Sequence, residues 1–242
     1  MLIVLDAGHG MQDPGAVSWE YDFIEADCTI AIVEAITKHL DGYMWLIAPR
    51  DRYSSERARW AKAQNADILV SVHLNAGSPT ARGYEIYYHH GNEEGKKLAE
   101  YVSVRYGIIG LPLRGVIDDV NWHPASDPEY TGGLGVLANF PGAGILIECL
   151  FLSNPKEAAW MADQKKIDII GGAIAMGIRD FASEKIFPDV TNPGERDAVQ
   201  FCFERGLLKG FPDGLFKPLD PITRGQMAIV LKRLVEFLGK EG

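Results

Sequence analysis

His9 stands between two glycines in the stretch VLDAGHGMQDPGAV, residues 4–17, just beyond the point where an apolar run stops at Asp6. His73 falls near the end of a second apolar run, DILVSVHLN, Glu148 interrupts a third, GILIECLFL, and Glu25 opens the amphipathic stretch EADCTIAIVEAITKHL. Two imidazoles and a carboxylate are the ligand set of a catalytic zinc, three protein groups with the fourth position left for water. His9, Glu25 and His73 fit that count and leave Glu148 as an acid–base residue. Bound zinc lowers the pKa of water from about 15.7 to about 7 and polarises a carbonyl. Amide hydrolysis needs both, together with a carboxylate that carries the proton to the leaving nitrogen.

Each of these residues also has a plainer reading. A single histidine after a strand is commonly a hydrogen-bonded structural group. Glu148, flanked by GILI and CLFL, is costly to ionise in so apolar a setting, so it is neutralised, paired or catalytic. A buried salt bridge to an arginine such as Arg114 is the structural alternative.

The elements that must position these groups follow from periodicity. MLIVLDA, MWLIAP, DILVSVHL, YEIYYHH and GILIECLFL read as strands, and EADCTIAIVEAITKHL, SSERARWAKAQN, EEGKKLAEYVSVRY and KKIDIIGGAIAMGIRDFA between and after them are apolar at helical spacing. Strands apolar on both faces that alternate with helices predict an α/β fold, a mainly parallel twisted sheet with helices on both faces. In such a sheet ligands bind beyond the carboxyl ends of the strands, and His9, His73 and Glu148 all fall there, with Glu25 at the start of the helix after the first loop. Capping residues mark further helices. Asn154-Pro155 with Glu157, Asn192-Pro193 with Glu195, and a Thr223–Gln226 capping box each satisfy amides at a helix start.

After the long helix, predicted to end near Phe181, the texture changes to a helix, a Gly/Pro-rich loop and a last helix from Arg224 to about Leu238. A boundary near 183–188 therefore divides a domain of residues 1–183 from a small helical C-terminal domain of residues 187–242. The chain of 242 residues carries a formal charge of −9, and residues 1–186 hold all of the excess, 16 Lys/Arg against 25 Asp/Glu. With no basic run and an acidic surface, nucleic acid is excluded as a partner. Cys28, Cys149 and Cys202 are odd in number and lie in apolar contexts, which predicts buried thiols rather than a disulfide framework. No apolar run approaches the roughly 20 residues of a membrane span, and no signal peptide precedes Asp6.

VLDAGHGMQDPGAV, the EAD that follows, ERARWAKAQNADILVSVHLNA, RGYEIYY and LGVLANFPGAGILIECLFLSNPKE occur in the order of the motifs of the zinc-dependent N-acetylmuramoyl-L-alanine amidases of the amidase_3 type, and the chain resembles that family from residue 2 to about 180. The resemblance implies zinc ligands at His9, Glu25 and His73, a catalytic Glu148, and hydrolysis of the amide joining the lactyl group of N-acetylmuramic acid to L-alanine in peptidoglycan. The chain departs from the family pattern at Ala7, where proline is common, and in its shorter loop before Glu25. SWEYDFIEAD also contains Glu20 and Asp22, and Glu20 is a rival ligand. Asn75, in the Ser-x-His-x-Asn motif, is a candidate substrate contact. The polar insert of residues 118–133 reads as a binding loop beside the cleft, with Trp122 and Tyr130 as gripping aromatics and His123 as an exposed loop residue. His39, His89 and His90 read as surface residues.

In the tail, FPDV, GFPDGLFKP and ITRGQMA resemble the three landmarks of one S-layer-homology repeat. That resemblance implies binding of an acidic secondary cell-wall polymer by Arg224 and its neighbours. The same residues have a structural role, Thr223 as a cap and Asp213-Gly214 as a turn. A lone repeat buries little apolar surface, so self-association through the tail is expected. The whole resembles a phage-type endolysin made in the cytoplasm without a leader and released at lysis. A secreted host autolysin lacking its leader is the alternative context. A non-catalytic wall-binding protein of the same fold, or a zinc amidohydrolase of another substrate, are the alternatives in function.

Overall fold

Residues 1–11, 13–121 and 132–239 are described in a computed structural model of the chain. The strands are β1 Leu2–Ala7, β2 Val17–Ser18, β3 Phe23–Ile24, β4 Met44–Ile47, β5 Ile68–Asn75, β6 Tyr84–Tyr88, β7 Leu113–Asp118 and β8 Ala143–Phe151. The helices are α1 Glu25–Lys38, α2 Ser54–Ala63, α3 Glu93–Tyr106, α4 Gly135–Ala138, α5 Pro155–Ala158, α6 Gln164–Ile186, α7 Pro193–Glu204 and α8 Arg224–Leu238. Six strands form one sheet in the order β4-β1-β5-β8-β6-β7, and β2 pairs with β3 as a separate short hairpin. All neighbours in the large sheet are parallel except β6 and β8, which are antiparallel.

Chirality and link length explain this layout. From β1 the chain moves outward through α1 to β4, then back across through α2 to β5. Right-handed crossovers in opposite directions place α1 and α2 on opposite faces. Residues 76–83 join β5 to β6 without a helix. With no helical crossover the chain re-enters the sheet from the rim where it left, which reverses β6. The α3 crossover then makes β7 parallel to β6. The rim at the carboxyl ends of β1, β5 and β8 is therefore also the rim at the amino ends of β6 and β7.

The central strands are buried on both faces, with Ile3, Val4, Leu5, Ile68, Leu69, Val70 and Ile147 fully enclosed. Val4, Leu69 and Leu146 pack with Ala58 and Ala61 of α2 and with Val136 and Leu137 of α4. Ile170, Ile174 and Ile178 recur along one side of α6 and are fully buried. Each such side chain contributes about 1.5–3 kcal/mol of transfer free energy.

Three expectations change. MWLIAP does form a strand, but β4 is exposed along its length, from Leu46 at 37% to Met44 at 66%, because it lies at the sheet edge with a neighbour on one side only. β7 is a strand without a legible strand pattern, which Pro112, Arg114 and Gly115 weaken. The thiols of Cys28 and Cys149 are buried as expected, whereas Cys202 is partly exposed, and none is disulfide-bonded.

The chain divides into two compact units, Met1–Ile178 and Arg179–Gly242. The division falls within α6, which continues unbroken to Ile186 past the composition change near 183–188. In the second unit Phe187, Val190 and Val199 form a small core against Phe203 and Phe216. The Asp189 carboxylate accepts from the backbone amides of Phe216 and Lys217 at 3.0 and 2.6 Å, which closes the Gly/Pro-rich loop onto this core. Caps form at Asn154, Asn192 and Thr223, the last as a full capping box with Gln226. No residue of α8 is buried. No helix among the described residues is long and apolar enough to cross a membrane.

Candidate metal centre and active site

The turn after β1 carries His9 and Met11 at positive φ, 60° and 55°. Such backbone is uncommon for side chains of this size and marks a position held by its surroundings. Two arginines and a threonine do the holding. The Arg57 guanidinium donates to the His9 carbonyl at 2.7 Å, to the Ala7 carbonyl at 2.9 Å and to the Asp6 carboxylate at 3.0 Å. Ser71 donates to the other oxygen of Asp6 at 2.7 Å. Thr29 of α1 and Arg50 both donate to the Gly8 carbonyl. Asp6 and Arg57 are 1% and 5% exposed, so each charge depends on the other. Breaking a buried pair leaves an uncompensated charge and costs about 3–5 kcal/mol. Arg57→Ala is therefore expected to lower unfolding free energy by about that amount in denaturant titration, and a loss below about 1 kcal/mol would contradict this account.

The hairpin of β2 and β3 returns the chain to this turn and starts α1 at Glu25. Its carboxylate folds back at the positive end of the helix, where one oxygen accepts from the Leu74 amide at 2.9 Å and the other from the Ala16 amide at 2.8 Å. His9 Nε2 and His73 Nδ1 each lie 3.1 Å from the same oxygen, Glu25 Oε1. The ligand atoms of His9, Glu25 and His73 lie within 4.8 Å of one another, the one group of three such residues among those described. Tetrahedral zinc at about 2.0–2.1 Å from its donors separates them by about 3.3 Å, close to the 3.1 Å that parts Glu25 Oε1 from each imidazole nitrogen. On the far side of its ring, His9 Nδ1 meets Asp13 Oδ2 at 2.8 Å. This carboxylate–histidine contact fixes the tautomer that presents Nε2.

The glycines have their reason here. A Cβ on Gly8 would lie 2.4 Å from the His73 ring, and one on Gly15, whose φ is +68°, would lie 2.6 Å from Glu25 Oε2 and 2.7 Å from the His9 ring. The loop can wrap three ligands only without side chains at these two points.

Charge reinforces the geometry. Burial alone lowers the basicity of His9, but Glu25 and Asp13 outweigh it and push its pKa up to about 9. His73 is raised too, burial being overcome by Glu25 and Glu148. Burial opposes ionisation of Glu25, yet the two imidazoles hold its carboxyl far below the usual carboxylate range. A cluster that favours protons so strongly favours a cation.

Glu148 of β8 is the direct cross-strand partner of His73 on β5. Its Oε2 is shielded from solvent and has no hydrogen-bond partner among the described residues. Burial, with Glu25 and Glu85 nearby, outweighs the attraction of His73 and pushes its pKa up to about 7. Arg114 does not pair with it. The Arg114 Nε donates instead to Glu85 Oε1 at 2.6 Å, and Glu85 is the cross-strand partner of Glu148 on its other side.

The family model described as N-acetylmuramoyl-L-alanine amidase, Amidase_3, matches residues 3–180. The chain belongs to this family. An S-layer homology domain model matches residues 186–228 of the amidase. The endolysin of Bacillus phage SPP1 is 29% identical over 227 residues, spanning 88% of this chain and 78% of that protein. The germination-specific N-acetylmuramoyl-L-alanine amidase of Bacillus subtilis is 27% identical over 204 residues, 76% of this chain and 81% of that one. Among solved structures, the N-acetylmuramoyl-L-alanine amidase of Clostridium difficile 630 matches with a TM-score of 0.64 at 25% identity, covering 76% of this chain and 97% of that one. The reaction is accordingly hydrolysis of the amide between N-acetylmuramic acid and L-alanine in peptidoglycan.

Other candidates in the amidase are placed as follows. Glu20 is exposed in the turn of the β2–β3 hairpin and outside the cluster, whereas Glu25 is 3% exposed at its centre. Asn75 uses its amide within the protein, donating to Glu85 Oε2 at 3.0 Å and accepting from the Ala76 amide at 2.8 Å. Trp122, His123 and Tyr130 lie outside the described residues. The ends of that insert meet where the Leu134 amide donates to Asp119 at 2.8 Å, just past β7, whose Asp118 is level with Ile145 rather than with Glu148. His90 is exposed and His39 and His89 are partly so, His89 being bound to the buried Asp119 at 3.1 Å. Arg224 is exposed at the first position of α8. Sequence reading did not place Glu85 or Tyr87 at the site, because the ends of antiparallel strands reach this rim only once the sheet order is known.

Proposed function

We propose that the amidase is zinc-dependent, with His9, Glu25 and His73 as the metal ligands and Glu148 as the acid–base residue. The convergence of three ligand atoms beside an unpartnered Glu148 oxygen carries this reading. Zinc bound there supplies an acidified water and a polarised scissile carbonyl. The protein's own groups do the rest. Asp13 orients His9, the Leu74 and Ala16 amides orient Glu25, and Glu148 takes a proton from the attacking water and delivers it to the nitrogen of L-alanine as the amide breaks. A pKa near 7 suits a group that must serve as base and then as acid at neutral pH.

A purely binding protein has no use for a desolvated carboxylate beside a ligand triad. The decisive measurement is incubation of purified sacculi with the protein and zinc. Free L-alanine amino groups are expected to accumulate with no new reducing sugar. Reducing ends without amino groups would indicate a glycosidase and end the reading.

The second unit, by this proposal, attaches the enzyme to an acidic secondary cell-wall polymer, with Arg224 among its contacts. The protein then acts on the wall after release from the cell that makes it, in the manner of a phage lysin. Removing residues 187–242 is expected to reduce co-sedimentation with polymer-bearing walls several-fold while leaving hydrolysis of a small soluble muropeptide within about twofold. Equal co-sedimentation would remove the attachment role. Ile229, Leu231, Val235 and Leu238 are exposed on α8, between 51% and 70%, which supports self-association through that helix. A monomer in sedimentation equilibrium at micromolar concentration would refute it.

A further inference from the structure

Beside Glu148 the rim carries a second polar constellation that the hydrolytic step leaves unused. Glu85 is only 8% exposed, and three side chains converge on it: Arg114 Nε at 2.6 Å, Asn75 Nδ2 at 3.0 Å and the Tyr87 hydroxyl at 2.8 Å. Its carboxylate is thus fully used, and the arrangement acts on Arg114.

Arg114 reaches this place through an irregularity of the sheet. Tyr84 pairs with Leu113 and Glu85 with Gly115, so Arg114 is the extra residue of a bulge between β6 and β7. Bulges re-aim a side chain out of the regular alternation and recur beside active sites. The guanidinium lies over the Phe151 ring, 5.0 Å from its centroid. Pinned through Nε and stacked on an aromatic face, it keeps its two terminal nitrogens without a hydrogen-bond partner among the described residues, and the side chain is 45% exposed. An arginine held at one edge with its other edge open presents two parallel N–H donors, the geometry that matches a carboxylate.

We propose that Arg114 is a specificity-determining residue that binds a carboxylate of the stem peptide, one residue beyond the L-alanine released by hydrolysis, with Glu85 as its positioning residue. This rests on the amidase reading above. His73, Glu148, Glu85 and Gly115 are cross-strand partners in one row, so the metal ligand, the acid–base residue and the base of Arg114 follow one another across the rim. At about 4.8 Å per strand, Arg114 starts about 10 Å from Glu148 and its long side chain covers part of that gap. A peptide leaving the scissile bond advances about 3.5 Å per residue, which puts the α-carboxylate of a γ-linked second residue about 7 Å from the scissile nitrogen. On a protein of net charge −9, a localised cation at this point gives an anionic peptide a defined place to dock.

The test compares two soluble substrates with the full chain and zinc: N-acetylmuramoyl-L-alanyl-γ-D-glutamyl-L-lysinamide, with a free α-carboxylate on the glutamyl residue, and its isoglutaminyl counterpart, with a neutral amide there, the γ-carboxyl being in peptide linkage in both. The wild-type protein is expected to favour the acid by at least tenfold in kcat/KM, mostly through KM. Arg114→Gln brings the ratio close to one, chiefly by raising KM for the acid substrate, and Arg114→Lys retains part of the preference. Glu85→Gln, which releases the guanidinium, lowers the ratio of the two kcat/KM values by raising KM for the acid substrate more than for the amide. Equal use of both substrates by the wild type overturns the proposal and leaves the amidase reading intact, as does a ratio that Arg114→Gln does not change. Failure of the wild type to release L-alanine amino groups from either substrate removes the amidase reading itself, and this proposal with it.

Discussion

Glu148→Gln is expected to lower turnover on a soluble muropeptide by about 10²–10⁴-fold, the usual contribution of a positioned acid–base group. Glutamine keeps the shape and the partial burial of the side chain but can neither accept nor return a proton. Zinc content measured after dialysis should stay at the wild-type level, because His73, and not its cross-strand neighbour, belongs to the ligand cluster. Stability supplies an independent check. Burial raises the Glu148 pKa from its ordinary value of 4.5 to about 7, so its ionised form is disfavoured in the folded protein. Below pH 4.5 the group is protonated folded or unfolded and has no effect. Between 4.5 and 7 the unfolded chain ionises first, so stability falls as pH rises, and above about 7 the full cost is present. The metal-free glutamine variant should consequently unfold at the same or a higher temperature than the metal-free wild type at pH 8. A variant that is fully active, or inactive only because it has lost zinc, would take the acid–base role from Glu148.

Stripping the metal with a chelator should abolish hydrolysis altogether, and stoichiometric zinc should restore it. Activity that survives chelation and dialysis would rule out the metal mechanism. The same cluster sets a pH dependence for binding. Each zinc must displace the proton that His9 holds up to about pH 9, so apparent affinity should fall at least tenfold for every pH unit below that value. Calorimetry in two buffers of different ionisation enthalpy reads the released protons directly. In the metal-free protein the raised His9 pKa contributes stability that is complete below its unfolded value of 6.5 and is lost as pH rises through about 9. The lowered Glu25 pKa works in the other direction. Its contribution is present above the unfolded value of 4.5 and is lost as pH falls below it. The unfolding temperature of the metal-free form should thus decline between pH 6.5 and 9, and zinc should remove most of that decline.

Much of this is legible in the sequence. Short continuous apolar runs identified the strands β1, β5, β6 and β8 and apolar residues at helical spacing the helices α1, α2, α3 and α6, since burial of both faces or of one stripe dictates residue type at each position. Caps at Asn154, Asn192 and Thr223 were readable because a helix start needs a local acceptor for its free amides. His9, Glu25, His73 and Glu148 were readable as chemistry from their types and their places at strand and helix ends.

Tertiary structure decided what depends on contacts between distant segments. Residues 20 and 25 are both glutamates, and only the β2–β3 hairpin sends one into solvent and the other between two imidazoles. Arg114 is as suitable a partner for Glu148 as for Glu85 until the bulge and the antiparallel pairing of β6 with β8 place it beside Glu85. The reversed direction of β6 and the exposure of the apolar β4 follow from strand order, which no local pattern encodes. Sequence thus determined which residues are apolar and which are of a type that can do chemistry, because those are properties of the side chains themselves. Which of them meet is a property of register and chain direction, and these are fixed only when the whole sheet is assembled.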